Sequence, residues 1–394
     1  MASNLKSLSR KLSDAVDGIN ETSDSRREEI LKLAKEIKAE FENPTERINE
    51  YMEISMEIGA IRLFMDWAAF EKMPPPGSDG ISYSKLAAAV GADENLVRRM
   101  AWMLVSRGFL EQVGEDRVVH TKASAIFAEK ESYAGPDLWC RYDGQCFAST
   151  SWWRSFRKCG RKEPVESICS NPALLEFTSV WDCIEGEQLQ DFAVAMKVSS
   201  EIYRPAELFP LNRVAENQRL VPDDAALVVD VGGSYGDVLQ MILEACPRIP
   251  AGRMVLQDRV SVIEEVKKLD TPALRGVRKM AHDFFTPQPL KGALVYYLRR
   301  IMHDWSDDRC RDILSNIQGA MGPESRILIH ERVMSNPPSS NSAVDDLAML
   351  NLGGKERTEA DWRKFFGSVH LKILKIRRSE KPVGVSIIEC KTER

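Results

Sequence analysis

Residues 227–236 read LVVDVGGSYG, and no other stretch constrains the fold as much. An apolar run broken only by Asp230 enters a turn with Gly232 and Gly233, and a helical pattern follows from Gly236. A buried strand that ends in a glycine turn before a helix lets a ligand approach the backbone closely. A dinucleotide fingerprint would need glycine at 231, where Val231 stands, and a phosphate-binding loop would need a Gly-Lys-Ser/Thr run that is absent. The turn is therefore expected to hold a ligand other than a pyrophosphate, or to be a plain strand-to-helix connection.

The C-terminal part of the chain keeps the same rhythm. Strand-like runs at 226–231, 254–257, 293–298 and 326–329 alternate with helical runs at 236–246, 260–269 and 308–321. This alternation predicts an α/β fold with a doubly wound, largely parallel sheet. A last helix at 361–366 and two strands at 371–377 and 383–390 fit a closing antiparallel pair.

The N-terminal third has a different pattern. Residues 23–42 place Ile30, Leu31, Ala34, Ile37 and Phe41 on one helical stripe ended by Pro44, and a second apolar helix is expected from about 49 to 70. Residues 82–90 form a helix stopped by Gly91, and Asp93 caps the next one, which carries Leu96, Met100, Met103 and Leu104. Strand-like runs at 108–113 and 117–120 complete a winged-helix pattern. Its candidate recognition helix offers only Arg98 and Arg99 as basic residues and also carries Trp102, Met100 and Met103, which are expected to be buried. A scaffolding or dimerisation role therefore fits better than DNA binding, and the net charge of −5 agrees, since phosphate neutralisation needs a basic face. The expected division is a dimerisation domain at 1–125 and a catalytic domain at 126–394, the latter a helical linker (126–222) and a core (223–394).

A chain of 394 residues has room for this organisation. Its eight cysteines show no C-x-x-C pair, which reads as scattered thiols in a reducing compartment. No secretory h-region opens the chain and no run approaches 18 apolar residues, so a cytoplasmic protein with no membrane span is expected. Residues 137–205 read as mostly helical, with Trp139, Trp152, Trp153 and Trp181 either in the core or lining an apolar substrate pocket.

Candidate chemistry gathers at the predicted strand ends. Asp258 ends the second strand, where a carboxylate accepts both hydroxyls of a ribose or caps the following helix. Asp283 and Phe284 follow another short strand and suit an adenine. Of the five histidines, His303 lies just past the strand at 293–298, at the carboxyl edge where active sites of open α/β folds sit. It reads as a general base or as a packing histidine. Glu331 and Glu356 are the carboxylates placed to fix its tautomer.

Taken together, VDVGG with Gly236, Asp258, HDFF at 282–285, YLRRIMHDWSD at 297–307, Glu331, DLAML at 346–350 and GGKERT at 353–358 carry a resemblance. The chain, over residues 45–394, resembles the small-molecule O-methyltransferases of the caffeate and flavonoid type, in the branch found in fungal secondary metabolism. The resemblance implies a class I methyltransferase Rossmann-like sheet and S-adenosyl-L-methionine as cofactor. It implies that Asp230, Gly232 and Gly233 line the methionine part, that Asp258 holds the ribose, that Asp283 and Phe284 flank the adenine, and that Arg299 is a basic cofactor contact. It implies His303 as base, flanked by Glu331 and Glu356, with Met349 and Trp305 in the substrate pocket, no metal, and a homodimer built by the N-terminal domain. Two departures stand out: Arg259-Val260 where the family usually has Leu-Pro, and the stretch 176–186 near the expected substrate pocket. The second leaves open a pericyclase, which binds the same cofactor without transferring its methyl. No carboxylate cluster of the kind a metal-dependent methyltransferase needs is evident in the sequence.

Overall fold

The computed structural model describes residues 2–17, 24–129, 157, 205–379 and 385–393. The chain divides into two compact units, Met1–Ser132 and Tyr133–Arg394. The tryptophans at 139, 152, 153 and 181, the stretch 176–186 and most of the expected linker lie outside the described residues. Among the described residues, no helix is long and apolar enough to cross a membrane.

The first unit opens with α1 (Ala2–Asp17), which the sequence reading did not anticipate. It packs on α2 (Asp24–Phe41) through Leu8, Leu12 and Ala15 against Ile30, Leu33 and Ile37, whereas Leu31 and Phe41 of the expected stripe are exposed. The next helix, α3 (Pro44–Asp66), begins earlier than expected: Asn43 and Glu46 form a reciprocal capping box, and Pro44 opens the helix instead of merely ending the previous one. The helices and strands expected in residues 82–120 are present. Ser82 caps α4 (Tyr83–Val90), Gly91 ends it in the left-handed region, and Asp93 caps α5 (Glu94–Ser106). The strands β1 (Ile81–Ser82), β2 (Leu110–Val113) and β3 (Arg117–His120) form one antiparallel sheet in the order β1-β3-β2.

The buried face of α5 differs from the expected one. Val97, Ala101 and Leu104 face the core, and Trp102 is 51% exposed. Positions i, i+4 and i+7 share one side of a helix, and the residue after Ala101 is turned away by about 100°.

The second unit is a sheet in the order β10-β11-β8-β7-β4-β5-β6. Its strands are β4 (Val228–Val231), β5 (Met254–Asp258), β6 (Arg278–Ala281), β7 (Val295–Arg299), β8 (Arg326–Met334), β10 (Leu371–Arg378) and β11 (Val385–Thr392); the short β9 (Arg357–Thr358) pairs with β8. Strands β4 to β8 are parallel to their neighbours, and β11 and β10 close the sheet antiparallel. Side chains alternate along the strands. Val228, Leu256, Val295, Tyr297 and Leu328 join one core, and Val229, Val255, Tyr296, Leu298, Ile327 and Ile329 join the other. Helices α6 (Asp237–Ala245), α7 (Val260–Leu269), α8 (Asp307–Gln318), α9 (Ser340–Leu350) and α10 (Glu359–Ser368) follow β4, β5, β7, β8 and β9 in turn. The chain builds outward from β4 to β5 and β6, then returns to add β7 on the other side of β4. That reversal opens a crevice at the carboxyl ends of β4 and β7, where open α/β sheets bind ligands.

Candidate active site

The glycine turn after β4 is pinned to β5: the Gly232 and Gly233 N–H groups donate to the Gln257 carbonyl at 2.9 and 3.0 Å. Gly232 has φ +72°, and a Cβ there would lie 2.6 Å from Ile301 Cδ1. A Cβ on Gly233 would lie 2.5 Å from Asp230 Oδ2 and from Leu256 Cδ1. The left-handed backbone favours glycine at 232, and at both positions a Cβ would displace the side chains packed against the turn.

Asp258 stands over this turn. Its Oδ2 accepts from the Ser234 N–H at 2.8 Å and its Oδ1 from the Arg259 N–H at 2.7 Å. It makes no capping bond to α7, whose cap residue is Arg259. Each carboxylate oxygen keeps acceptor capacity, which suits the two hydroxyls of a ribose. Asp230 is buried and its Oδ2 has no hydrogen-bond partner. Burial, only partly opposed by the nearby Arg299 charge, raises its carboxyl to about 7. An ammonium group such as that of a methionine moiety would satisfy this orphaned oxygen. Arg299, at the end of β7, has its guanidinium lowered by burial. Asp283 is exposed; its Oδ1 accepts from the Phe285 N–H at 2.9 Å and shapes the turn after β6. Phe284 packs edge-on against Phe285 and Trp305, with centroids 4.9 and 6.1 Å away, and Phe285 lies 4.8 Å from Trp305. The expected substrate residue Trp305 thus has its ring in the aromatic wall beside the glycine turn. The donors and the cradle fit an adenosyl-methionine ligand.

The second half of the site is assembled from three distant segments. His303 sits in the turn after β7, Glu331 on β8, and Glu356 just before β9; all three are buried. His303 Nδ1 is 2.8 Å from Glu356 Oε1, 3.6 Å from Glu331 Oε2, and its Nε2 is 3.4 Å from Asp304 Oδ1. The two glutamates have different jobs. Glu356 is the ring's hydrogen-bond partner, and a carboxylate there makes Nδ1 the protonated nitrogen of a neutral ring. Glu331 Oε1 accepts from the Ile301 and Met302 N–H groups, both at 2.9 Å, and so shapes the turn that presents the ring. Burial lowers the imidazole, but the charges of Glu331, Asp304 and Glu356 outweigh it and raise the ring to about 9. Burial raises Asp304 to about 7 and raises Glu331, whereas the His303 charge and hydrogen bond outweigh burial at Glu356 and hold it low.

The sequence grouped this trio but did not reveal its spacing. His303, Glu331 and Glu356 each offer a ligand atom, all within 4.8 Å of one another, a spacing that could hold a metal ion. Part of this donor set is engaged: Nδ1 is committed to Glu356, and Glu331 Oε1 holds two backbone N–H groups, whereas Glu331 Oε2 and Glu356 Oε2 are buried without a hydrogen-bond partner. Met349 is buried near the end of α9, and its carbonyl accepts from Gly354 at 3.0 Å, tying it to the loop that carries Glu356. The other buried histidines are accounted for. His120 bonds Ser124 and the Phe70 carbonyl, and His330 bonds Tyr297 and is lowered by burial to about 3.

Sequence reasoning missed four participants. Asp304 faces the ring's other nitrogen. Asp346 Oδ1 accepts from the Glu356 N–H at 2.9 Å. Gly354 has to be glycine, because a Cβ would lie 1.9 Å from the His303 carbonyl. Arg357 is buried between the His303 turn and α10. Each lies inside a motif singled out above, and only the packing shows what it touches.

A family model described as an O-methyltransferase domain matches residues 218–370. The chain is 34% identical to methyltransferase cfoD of Aspergillus candidus, over 98% of this chain and 97% of that protein. Its fold is similar to that of OxaC solved with SAH and oxaline (TM-score 0.85, 22% identity, all of both chains covered). It is also similar to LepI solved with SAM (TM-score 0.81, 21% identity, all of both chains covered). The glycine cradle, the Asp258 carboxylate and the matching family agree on S-adenosylmethionine as the cofactor, and the chain belongs to the S-adenosylmethionine-dependent O-methyltransferase family, as the Aspergillus candidus methyltransferase does.

Proposed function

We propose that this methyltransferase acts on a hydroxyl of a small aromatic or polyketide-derived metabolite, without a metal, and that His303 is its general base. The observation that carries this reading is the buried 2.8 Å contact between His303 Nδ1 and Glu356 Oε1 at the sheet's switch point. It leaves Nε2 as the ring's acceptor. Bound S-adenosylmethionine supplies an electrophilic methyl on a sulfonium. His303 would take the hydroxyl proton at Nε2 as the substrate oxygen is methylated, the chemistry that the bound sulfonium would supply. Holding the two reactants in one crevice removes most of the entropic barrier, and base assistance adds typically about 10²–10⁴-fold. Asp230, Gly232, Gly233 and Arg299 hold the methionine end, Asp258 the ribose, Asp283 and Phe284 the adenine, and Met349 and Trp305 the substrate. Exposed Ile48, Tyr51, Met52 and Met56 on α3, with Trp102 on α5, support a homodimer built by residues 1–125.

The test is incubation with methyl-labelled cofactor and a panel of phenolic polyketides. Equal amounts of S-adenosylhomocysteine and O-methylated product are expected; label on carbon or nitrogen would overturn the hydroxyl assignment. The three carboxylates around His303 favour a second reading, a pericyclase. A ring raised to about 9 is charged at neutral pH and is then a hydrogen-bond donor and fixed charge. Isomerised product with no S-adenosylhomocysteine would establish it.

A further inference from the structure

Arg357 is 1% exposed, and its guanidinium donors reach Asp307, three backbone carbonyls and, at 3.7 Å, Cys310 Sγ. Nε and Nη2 reach Asp307 Oδ1 at 3.2 and 2.7 Å. Nη1 donates to the Met302 carbonyl at 3.0 Å and to the Lys355 carbonyl at 3.3 Å, and Nη2 to the Trp305 carbonyl at 3.3 Å. The plane rests on Trp362 and Phe365, 5.0 and 5.4 Å from their ring centres. Met302 and Trp305 flank His303 in sequence, and Glu356 immediately precedes Arg357. Along its backbone, Arg357 pairs with Val333 on β8, two residues past Glu331. One residue therefore joins the three segments that carry the trio. A planar fork with several fixed donors can do this; an ammonium on a flexible stem cannot.

We infer that Arg357 is the positioning residue of this site: its guanidinium locks the 302–305 turn against the Glu356 segment and so keeps His303 Nδ1 on Glu356 Oε1. The inference rests on the reading of His303 given above only for its kinetic consequence, and its central readout needs no substrate. Two further contacts act in the same direction. The Lys355 N–H donates to the His303 carbonyl at 2.9 Å, and Lys355 Nζ lies 3.0 Å from Asp307 Oδ2.

The experiment follows the imidazole titrations of the full-length protein by NMR with histidine-selective labelling, His303→Gln assigning the His303 signal. In the wild type that signal should titrate above the ordinary histidine range. In Arg357→Lys it should move towards that range, because the ring separates from Glu356, while the remaining four histidine signals stay in place. With turnover measured in parallel, Arg357→Lys should lower kcat about 10- to 100-fold with KM for the cofactor unchanged. Combined with Glu356→Gln it should cost little more than Glu356→Gln alone, as residues acting through one another do. An unmoved His303 titration, or losses that simply multiply, would overturn the inference and leave Arg357 a packing residue. Asp307→Asn weakens the same fork from its acceptor side and is the second variant if Arg357→Lys does not fold; it should shift the His303 signal in the same direction, and no shift in it would equally overturn the inference. If His303→Gln retains full turnover while Arg357→Lys still shifts the titration, the base assignment fails and the positioning role stands.

Discussion

The glycine turn and the His303 cluster occupy the same sheet edge but are made of different material. The turn is backbone: two residues whose lack of a Cβ lets Ile301, Asp230 and Leu256 close in, pinned by the Gln257 carbonyl. The cluster is side chains, drawn from β7, β8 and the segment before β9, and depends on charges kept out of water. A backbone site should tolerate changes of charge around it and fail on added bulk. A side-chain site should fail on single-atom changes of chemistry and respond to pH.

The largest expected effect falls on the cluster. His303→Ala should lower kcat about 10²–10⁴-fold, with calorimetric affinity for S-adenosylmethionine near normal. Equal turnover in the variant would remove His303 from the chemistry. Next comes the turn's own carboxylate: Asp258→Ala should weaken cofactor binding by about 1.5–3 kcal/mol, the usual worth of hydrogen bonds to a charged group. An unchanged isotherm would sink its ribose assignment.

The two glutamates should separate. Glu356→Gln should lower the rate less than His303→Ala and shift the alkaline inflection of kcat downward, since it removes the ring's charged partner. Glu331→Gln should disturb the turn at 301–302 instead and show a greater loss of melting temperature. Identical profiles for the two variants would mean that they share one role.

A pH dependence arises from the same charges. Only the neutral ring accepts a proton, so the wild-type rate should climb with pH towards an inflection near 9. Stability should run the other way. The raised imidazole contributes stability that is fully present below its unfolded value of 6.5 and is lost as pH rises towards about 9. The raised carboxyls of Asp230 and Asp304 cost nothing below their unfolded value of 3.8, and their cost is complete above about 7. Melting temperature should therefore fall between pH 6 and 9, and a flat profile would show that the cluster is not buried as a charged group. The smallest expected effect is none: prolonged chelation should leave kcat unchanged, and activity restored only by a divalent ion would turn the trio into a metal site.

The local features were legible without any structure. The strand, glycine turn and helix from Val228 to Ala245 are adjacent in the chain, and so are the helix stop Gly91 and the cap Asp93. Periodicities of two and 3.6 carry that information over ten residues or so, and the alternation of strands and helices fixes a parallel sheet because each crossover has to bring the chain back to the same edge. What the tertiary structure decided was contact between segments far apart. The α5 face rotated by one residue, exposing Trp102, because packing chose Val97, Ala101 and Leu104. Trp305 turned to Phe284 and Phe285. Asp304 joined the trio, Glu331 took the turn's N–H groups and Glu356 took the ring. The sequence by itself determined which residues would reach the carboxyl edge of the sheet. Only the registers between β7, β8 and β9, which place separate segments within a few ångströms of each other, decided which carboxylate meets which nitrogen, because a hydrogen bond is set by distances that no spacing along the chain encodes.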